Sequence, residues 1–176
     1  MNADEKRQLI ESLESSREEF LAALAGHSLE SQSQRPSPES WSMLECAEHV
    51  ILVENALRKR LAEAPRSGDG ARRAEVEQRI RTAGPDRTSR RLSPAPVKPT
   101  GRFSALAEAA AQFNEARDLT VELVNSTGDL VLVSGSHPFF GPINGFEMVL
   151  FMCAHSLRHA QQIRETGARI ASPAAG

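Results

Sequence analysis

Residues 146–163, Phe-Glu-Met-Val-Leu-Phe-Met-Cys-Ala-His-Ser-Leu-Arg-His-Ala-Gln-Gln-Ile, run without a proline or glycine. Their apolar positions recur at helical rather than strand spacing, so the stretch predicts one long helix. His155 and His159 stand one turn apart and project from the same face. Met148, Phe151, Met152, Gln162 and Ile163 share that face, which makes it a core face. A buried imidazole must find hydrogen-bond partners, stay neutral or bind a metal. The i, i+4 spacing suits two nitrogen ligands on one ion. It also suits a structural hydrogen-bond network, and the pair alone does not choose between them.

Three more segments carry helical periodicity. The first runs from about Asp4 to Ala25, with Leu9, Leu13, Phe20 and Leu24 inward, Ile10 and Leu21 alongside, and Gly26 placed to end it. His27 follows as an exposed loop residue. The second starts near Trp41, with Ser40 or Ser42 as N-cap, and continues to about Ala62. Ser42 with Glu45 three residues on is a capping-box pattern. The third runs from about Phe103 to Asn125, with Thr100 or Ser104 as cap. The 146–163 helix itself should begin near Ile143 or Asn144 and end at Gly167, leaving 171–176 as a frayed tail. No convincing sheet is present, and Leu130–Val133 is too short for a strand. Four amphipathic helices imply an all-α four-helix bundle. At 176 residues the chain fits one domain, 1–176.

Between the second and third helices lies a long Pro- and Arg-rich connection, with Pro94, Pro96 and Pro99 on an extended path. Ala71 to Ala83 reads as a short surface helix. Arg79, Arg81, Arg87, Arg90 and Arg91 read as a solvated basic loop. The segment from Ser136 to Pro142 reads as a rigid loop leading into the last helix.

Composition removes several functions. The formal net charge is −2, too small to draw nucleic acid or an anionic membrane. Seven Phe, one Trp and no Tyr give no base-stacking platform. No apolar run reaches the roughly 20 residues of a membrane span, and the charged start is no signal peptide. Cys46 and Cys153 form no CxxC motif and no disulfide framework, which points to a reducing cytoplasm.

The second helix also aims a histidine inward. His49 shares its face with Cys46, Val50, Leu52, Val53, Ala56 and Leu57. Glu45 reads first as a capping residue, and Cys46 as a small buried hydrophobe. Arg117 falls on the inward stripe of the third helix, either as an interior charge needing a partner or snorkelling outward. Three imidazoles meeting in the interior would make a three-nitrogen site with an open position, the pattern of a catalytic metal centre. His155-Ser-Leu-Arg-His159 lacks the glutamate of HExxH, and the paired Glu-x-x-His motifs of di-iron bundles are absent.

Ser40-Trp41-Ser42 and Glu45-x-x-x-His49-Val50 resemble the DinB-like, or YfiT-like, superfamily of metalloenzymes. So do His137-Pro138-Phe139-Phe140-Gly141 and His155-x-x-Arg158-His159-x-x-Gln162-Ile163. The resemblance implies a four-helix bundle with a divalent metal, zinc, nickel or iron, held by His49, His155 and His159. It implies a homodimer acting on a small molecule. It also implies transfer chemistry with a low-molecular-weight thiol such as bacillithiol, mycothiol or glutathione, acidified by a Lewis-acidic ion. Metal-dependent hydrolysis is the alternative, and a non-catalytic metal-binding, stress-related bundle the other. Gln162 would orient a ligand and Arg158 hold a carboxylate. Trp41 reads as a packing anchor and His137 as a loop residue remote from the metal.

Overall fold

A computed structural model describes residues 1–88 and 92–172. The elements in chain order are α1 (Ala3–Leu24), α2 (Leu29–Ser33), α3 (Met43–Glu63), α4 (Ala74–Ala83) and α5 (Leu106–Ser126), then β1 (Ser134–His137), β2 (Gly141–Asn144) and α6 (Gly145–Ala171), with short 3₁₀ turns at Ala95–Val97 and Leu130–Leu132. Helices α1, α3, α5 and α6 pack on one another as the expected four-helix bundle. Among the described residues no helix is long and apolar enough to cross a membrane.

Local chemistry explains the helix starts. Asn2, Ser42 and Asn144 each accept from the N3 backbone amide, and Glu5, Glu45 and Glu147 reach back to the cap amide. Each capping box satisfies two donors that helix geometry leaves unpaired. Helix α5 starts at Leu106, later than expected, and has no side-chain cap. Of the two candidate caps, Thr100 bonds to Glu48 and Ser104 to the Glu108 carboxylate instead.

Helix α6 is the central element. Every residue from Gly145 to Ser156 is buried, as expected of a helix apolar nearly all round. It does not stop at Gly167. A Cβ there would sit 2.7 Å from the His27 ring, so the missing side chain makes room for His27 rather than ending the helix. His27 is accordingly half-buried, with Nε2 against the Ala23 carbonyl at 3.1 Å.

Two further expectations change. Helix α4 is more than a surface helix: Ile80 is fully buried, and Gly84 lets the chain approach so closely that a Cβ would lie 2.6 Å from the Ala154 Cβ. The 134–144 stretch is an antiparallel hairpin with Ser134 opposite Asn144 and His137 opposite Gly141. Gly141 has φ +73°, a conformation glycine adopts without steric cost. The proline-rich connection is extended at Pro94 and Lys98, as expected, but Ala95–Val97 closes a 3₁₀ turn that takes Pro96 off the expected extended path. Arg90, Arg91 and most of the expected frayed tail (173–176) lie outside the described residues.

The core is divided by a polar layer. One apolar cluster holds Leu9, Leu13, Leu57, Met148 and Phe151; the other holds Phe20, Cys46, Val50, Phe113 and Ile163. Between them Arg117 is wholly buried. Its guanidinium donates to the Leu13 carbonyl at 2.7 Å, Ser16 Oγ at 2.8 Å and Ser156 Oγ at 2.8 Å, and pairs with Glu54. It is the interior charge with partners, not a snorkelling one. A buried ion pair is tolerable only when its remaining donors are satisfied.

Candidate metal centre

The three inward histidines meet. Helix α3 supplies His49 and α6 supplies His155 and His159, and one ring nitrogen from each lies within 4.8 Å of the others. Ring centroids are 5.0 Å apart for His49–His155, 4.9 Å for His49–His159 and 4.5 Å for His155–His159. All three residues are under 10 % exposed, at 5 %, 9 % and 6 % in chain order.

The hydrogen bonds assign the nitrogens. His49 Nδ1 lies 2.7 Å from the Val97 carbonyl. A carbonyl only accepts, so Nδ1 carries the proton and Nε2 presents its lone pair. That Nε2 faces His155 Nε2 at 3.2 Å. Two nitrogen ligands at about 2.0–2.1 Å on a tetrahedral ion would be separated by roughly 3.3 Å. The His49–His155 pair therefore already has the edge length of such a site. His159 Nδ1 is buried with no hydrogen-bond partner among the described residues. A buried nitrogen without a partner is costly, and a cation relieves it. The donor set of neutral imidazoles fits a borderline divalent ion.

Electrostatics keeps the rings neutral. Burial, then the charges of His159, His49 and Arg158, pushes His155 well below the usual histidine value. Burial, then the charges of His49, Arg158 and Arg87, does the same to His159, while the Gln162 side chain works the other way. His49 is lowered by burial, partly offset by the Val97 carbonyl. Neutral imidazole is the ligating form.

Gln162 is half-buried and its Oε1 accepts from Arg87 Nη1 at 3.1 Å. Arg87 also donates to Glu165 Oε2 at 2.9 and 2.8 Å. Arg158 is buried beside the triad. Trp41 packs its ring 4.8 Å from His49. Glu45 forms the α3 capping box and pairs with Arg35. Cys46 and Cys153 are free and buried; burial raises both thiols, Cys153 to about 11. His137 takes no part in the cluster. Its Nδ1 accepts from the Phe139 and Phe140 amides at 3.2 and 3.3 Å, and its ring packs tilted against Phe151 with centroids 4.2 Å apart.

Three residues escaped sequence reasoning. Arg87, grouped with a solvated basic loop, reaches back to Gln162; Arg79 likewise donates to the Phe139 carbonyl at 3.3 Å. Glu48, adjacent to His49, is buried and bonded to residues 100–102. Its signal was a carboxylate at a position flanking an inward histidine, but its partners lie more than fifty residues on.

The chain is similar to several known proteins. It is 25 % identical over 148 residues to the uncharacterized protein YuaE of Bacillus subtilis (strain 168), covering 84 % of this chain and 90 % of that one. Among solved structures it resembles TT2238, a four-helix bundle protein, with TM-score 0.54 and 25 % identity over 89 % of this chain and 98 % of that one. It also resembles YfiT from Bacillus subtilis, described as a probable metal-dependent hydrolase with an unusual four-helix bundle topology. There the TM-score is 0.60 and identity 12 %, covering 97 % of this chain and 90 % of that one, a likeness of fold. The model of the DinB superfamily matches residues 12–163, which include all three histidines, and the chain belongs to that superfamily.

Proposed function

We propose that this protein, folding over its whole length as one domain, is a metal-dependent enzyme in which His49, His155 and His159 hold one divalent ion. The observation that carries the reading is the 3.2 Å approach of the His49 and His155 Nε2 atoms, in a triad whose ligand nitrogens all lie within 4.8 Å of one another. A divalent ion bound there supplies Lewis acidity, which lowers the pKa of a thiol or water ligand.

The chain's own residues favour thiol transfer. The carboxylates that flank the triad along α3 and α6 are committed: Glu48 to residues 100–102, Glu45 to Arg35 and Glu165 to Arg87. None is poised as a general base toward the cluster among the described residues. A thiol needs only to be acidified and held. Arg158 and Arg87 place positive charge close enough to depress the histidines, and the same field favours an anionic sulfur and the carboxylates that small cellular thiols carry. Gln162, between Arg87 and His159, offers an amide to orient the bound group. Hydrolysis is the second reading, and the fold likeness to YfiT favours it.

Elemental analysis of the purified protein should give about one divalent ion per chain. The loaded protein is then assayed for conjugation of an electrophile with bacillithiol, mycothiol and glutathione, and for hydrolysis of activated esters and amides, against His155→Ala. A thiol-dependent rate absent from the variant supports transfer. Hydrolysis alone selects the second reading. Neither activity in a metal-loaded protein leaves a non-catalytic binding role.

A further inference from the structure

Glu48 is 1 % exposed and stands next to the first histidine of the triad. A buried carboxylate needs several donors, and Glu48 finds all of them in one segment. One oxygen accepts from the Thr100 amide at 2.9 Å and the Thr100 hydroxyl at 2.8 Å. The other accepts from the amides of Gly101 at 2.8 Å and Arg102 at 3.2 Å. Three successive backbone N–H groups converging on one anion form a nest. Gly101, at φ +82°, supplies the left-handed backbone this turn uses.

The same segment carries Val97, whose carbonyl holds the His49 Nδ1 proton. The 94–102 strap is thus fastened to α3 at two neighbouring residues, by the Glu48 carboxylate and by the His49 ring. We infer that Glu48 is a positioning residue for the triad: by clasping residues 100–102 it keeps the Val97 carbonyl in place, which fixes the His49 tautomer and leaves Nε2 facing His155. Its bearing on metal affinity rests on the metal-site reading above; its bearing on the tautomer does not. Outer partners of this kind change metal affinity by about 10–100-fold. If Glu48 only anchored a loop, its loss would free the strap and leave His49 unaltered.

The full chain is compared with Glu48→Ala and with Gly101→Ala. The second variant leaves α3 untouched, and a Cβ at Gly101 would meet nothing within 4 Å, so its effect is confined to the backbone angle. Nitrogen-15 spectra of the His49 ring in metal-free protein report the tautomer. Amide exchange at residues 100–102 reports the clasp, and zinc titration reports the site. In Glu48→Ala, exchange should quicken about tenfold or more, the single Nδ1–H signature of His49 should give way to mixed tautomers, and zinc affinity should fall about tenfold or more. Gly101→Ala should move all three the same way by less. Faster exchange with an unchanged His49 signature and wild-type zinc affinity would overturn the inference. Should wild-type protein bind no zinc, the metal reading fails, and the metal-free tautomer and exchange data still decide the role of Glu48. Should Glu48→Ala not fold, Gly101→Ala decides by the same criteria.

Discussion

His49 Nε2 and His155 Nε2 face each other at 3.2 Å although 106 residues separate them in the chain. Because the Val97 carbonyl already holds the His49 proton, the contact needs a proton from His155 or a cation between the rings. A ligand that binds the folded state and not the unfolded one stabilises it, by about 2.7 kcal/mol at a hundredfold excess over Kd. For a chain of this size each kcal/mol moves Tm by about 2–4 °C. Zinc at that excess should therefore raise Tm by roughly 5–10 °C over chelator-treated protein. In His155→Ala the rise should shrink to less than about 2 °C, with the helical circular dichroism retained. A variant that keeps the full shift would remove His155 from the site.

The polar layer gives the second prediction. Arg117 Nε lies 2.9 Å from Glu54 Oε1, with both side chains shut off from solvent. Arg117→Met strands Glu54 and leaves Ser16 and Ser156 without their donor. The expected loss is about 3–5 kcal/mol in urea unfolding. Arg117→Met combined with Glu54→Met removes both charges and should recover most of that loss, because the penalty belongs to the orphaned charge. Additive losses in the double variant would show that the pair is not coupled.

The histidines also make stability depend on pH, and the direction follows from their depressed values. Folded His155 and His159 refuse protons near the ordinary value of 6.5, whereas the unfolded chain accepts them. Below 6.5 the unfolded state binds more protons, so metal-free stability falls as pH drops and levels out above 6.5. One pH unit below that value, each such histidine costs up to about 1.4 kcal/mol. Urea midpoints of metal-free protein at about pH 5.5 and about pH 7.5 should differ accordingly. The difference should narrow when His155 and His159 are both replaced by glutamine. An equal difference in that variant would assign the effect to the carboxylates. Metal affinity itself should hold steady from neutral pH to near 6.5, since no proton competes for these rings.

What the sequence revealed and what it hid divide along contact distance. The bundle helices and the inward histidines follow from periodicities local to each helix. So does Ser42 as the α3 cap. The 134–144 hairpin was hidden because, Ile143 apart, its strands are Ser, Gly, His, Pro and Asn, which carry little strand propensity. Helix α4 was misjudged because its charged residues disguise Ile80, the side chain it buries. Gly167 was taken as a terminator because its true function, admitting the His27 ring, involves a contact across the fold. Arg87 and Glu48 belong to the site's surroundings only through a loop whose path no local pattern specifies. His137 was rightly kept apart from the cluster, for a reason visible only in three dimensions: its own turn occupies Nδ1.

The start of α6 supplies the last prediction. Gly145 is the first residue of the helix that carries His155 and His159, and its amide donates to the Val133 carbonyl at 3.0 Å. A Cβ there would lie 2.6 Å from the Leu130 carbonyl oxygen and 2.9 Å from both Leu61 Cδ1 and Val133 Cβ. A flexible side chain could retreat from one such contact, but Leu130 presents backbone held in a 3₁₀ turn. Gly145→Ala should therefore destabilise the protein by about 1–3 kcal/mol despite alanine's higher helix propensity. Gly141→Ala, at φ +73° with nothing within 4 Å of a Cβ, should cost about 1–2 kcal/mol through the backbone alone. Hydrogen exchange distinguishes the two. Gly145→Ala should loosen the first turns of α6 together with the Leu130–Leu132 turn, whereas Gly141→Ala should loosen only the hairpin. Equal protection of the α6 amides in Gly145→Ala and wild type would mean that the Leu130 turn yields, and that the close approach does not fix the position of the histidine-bearing helix.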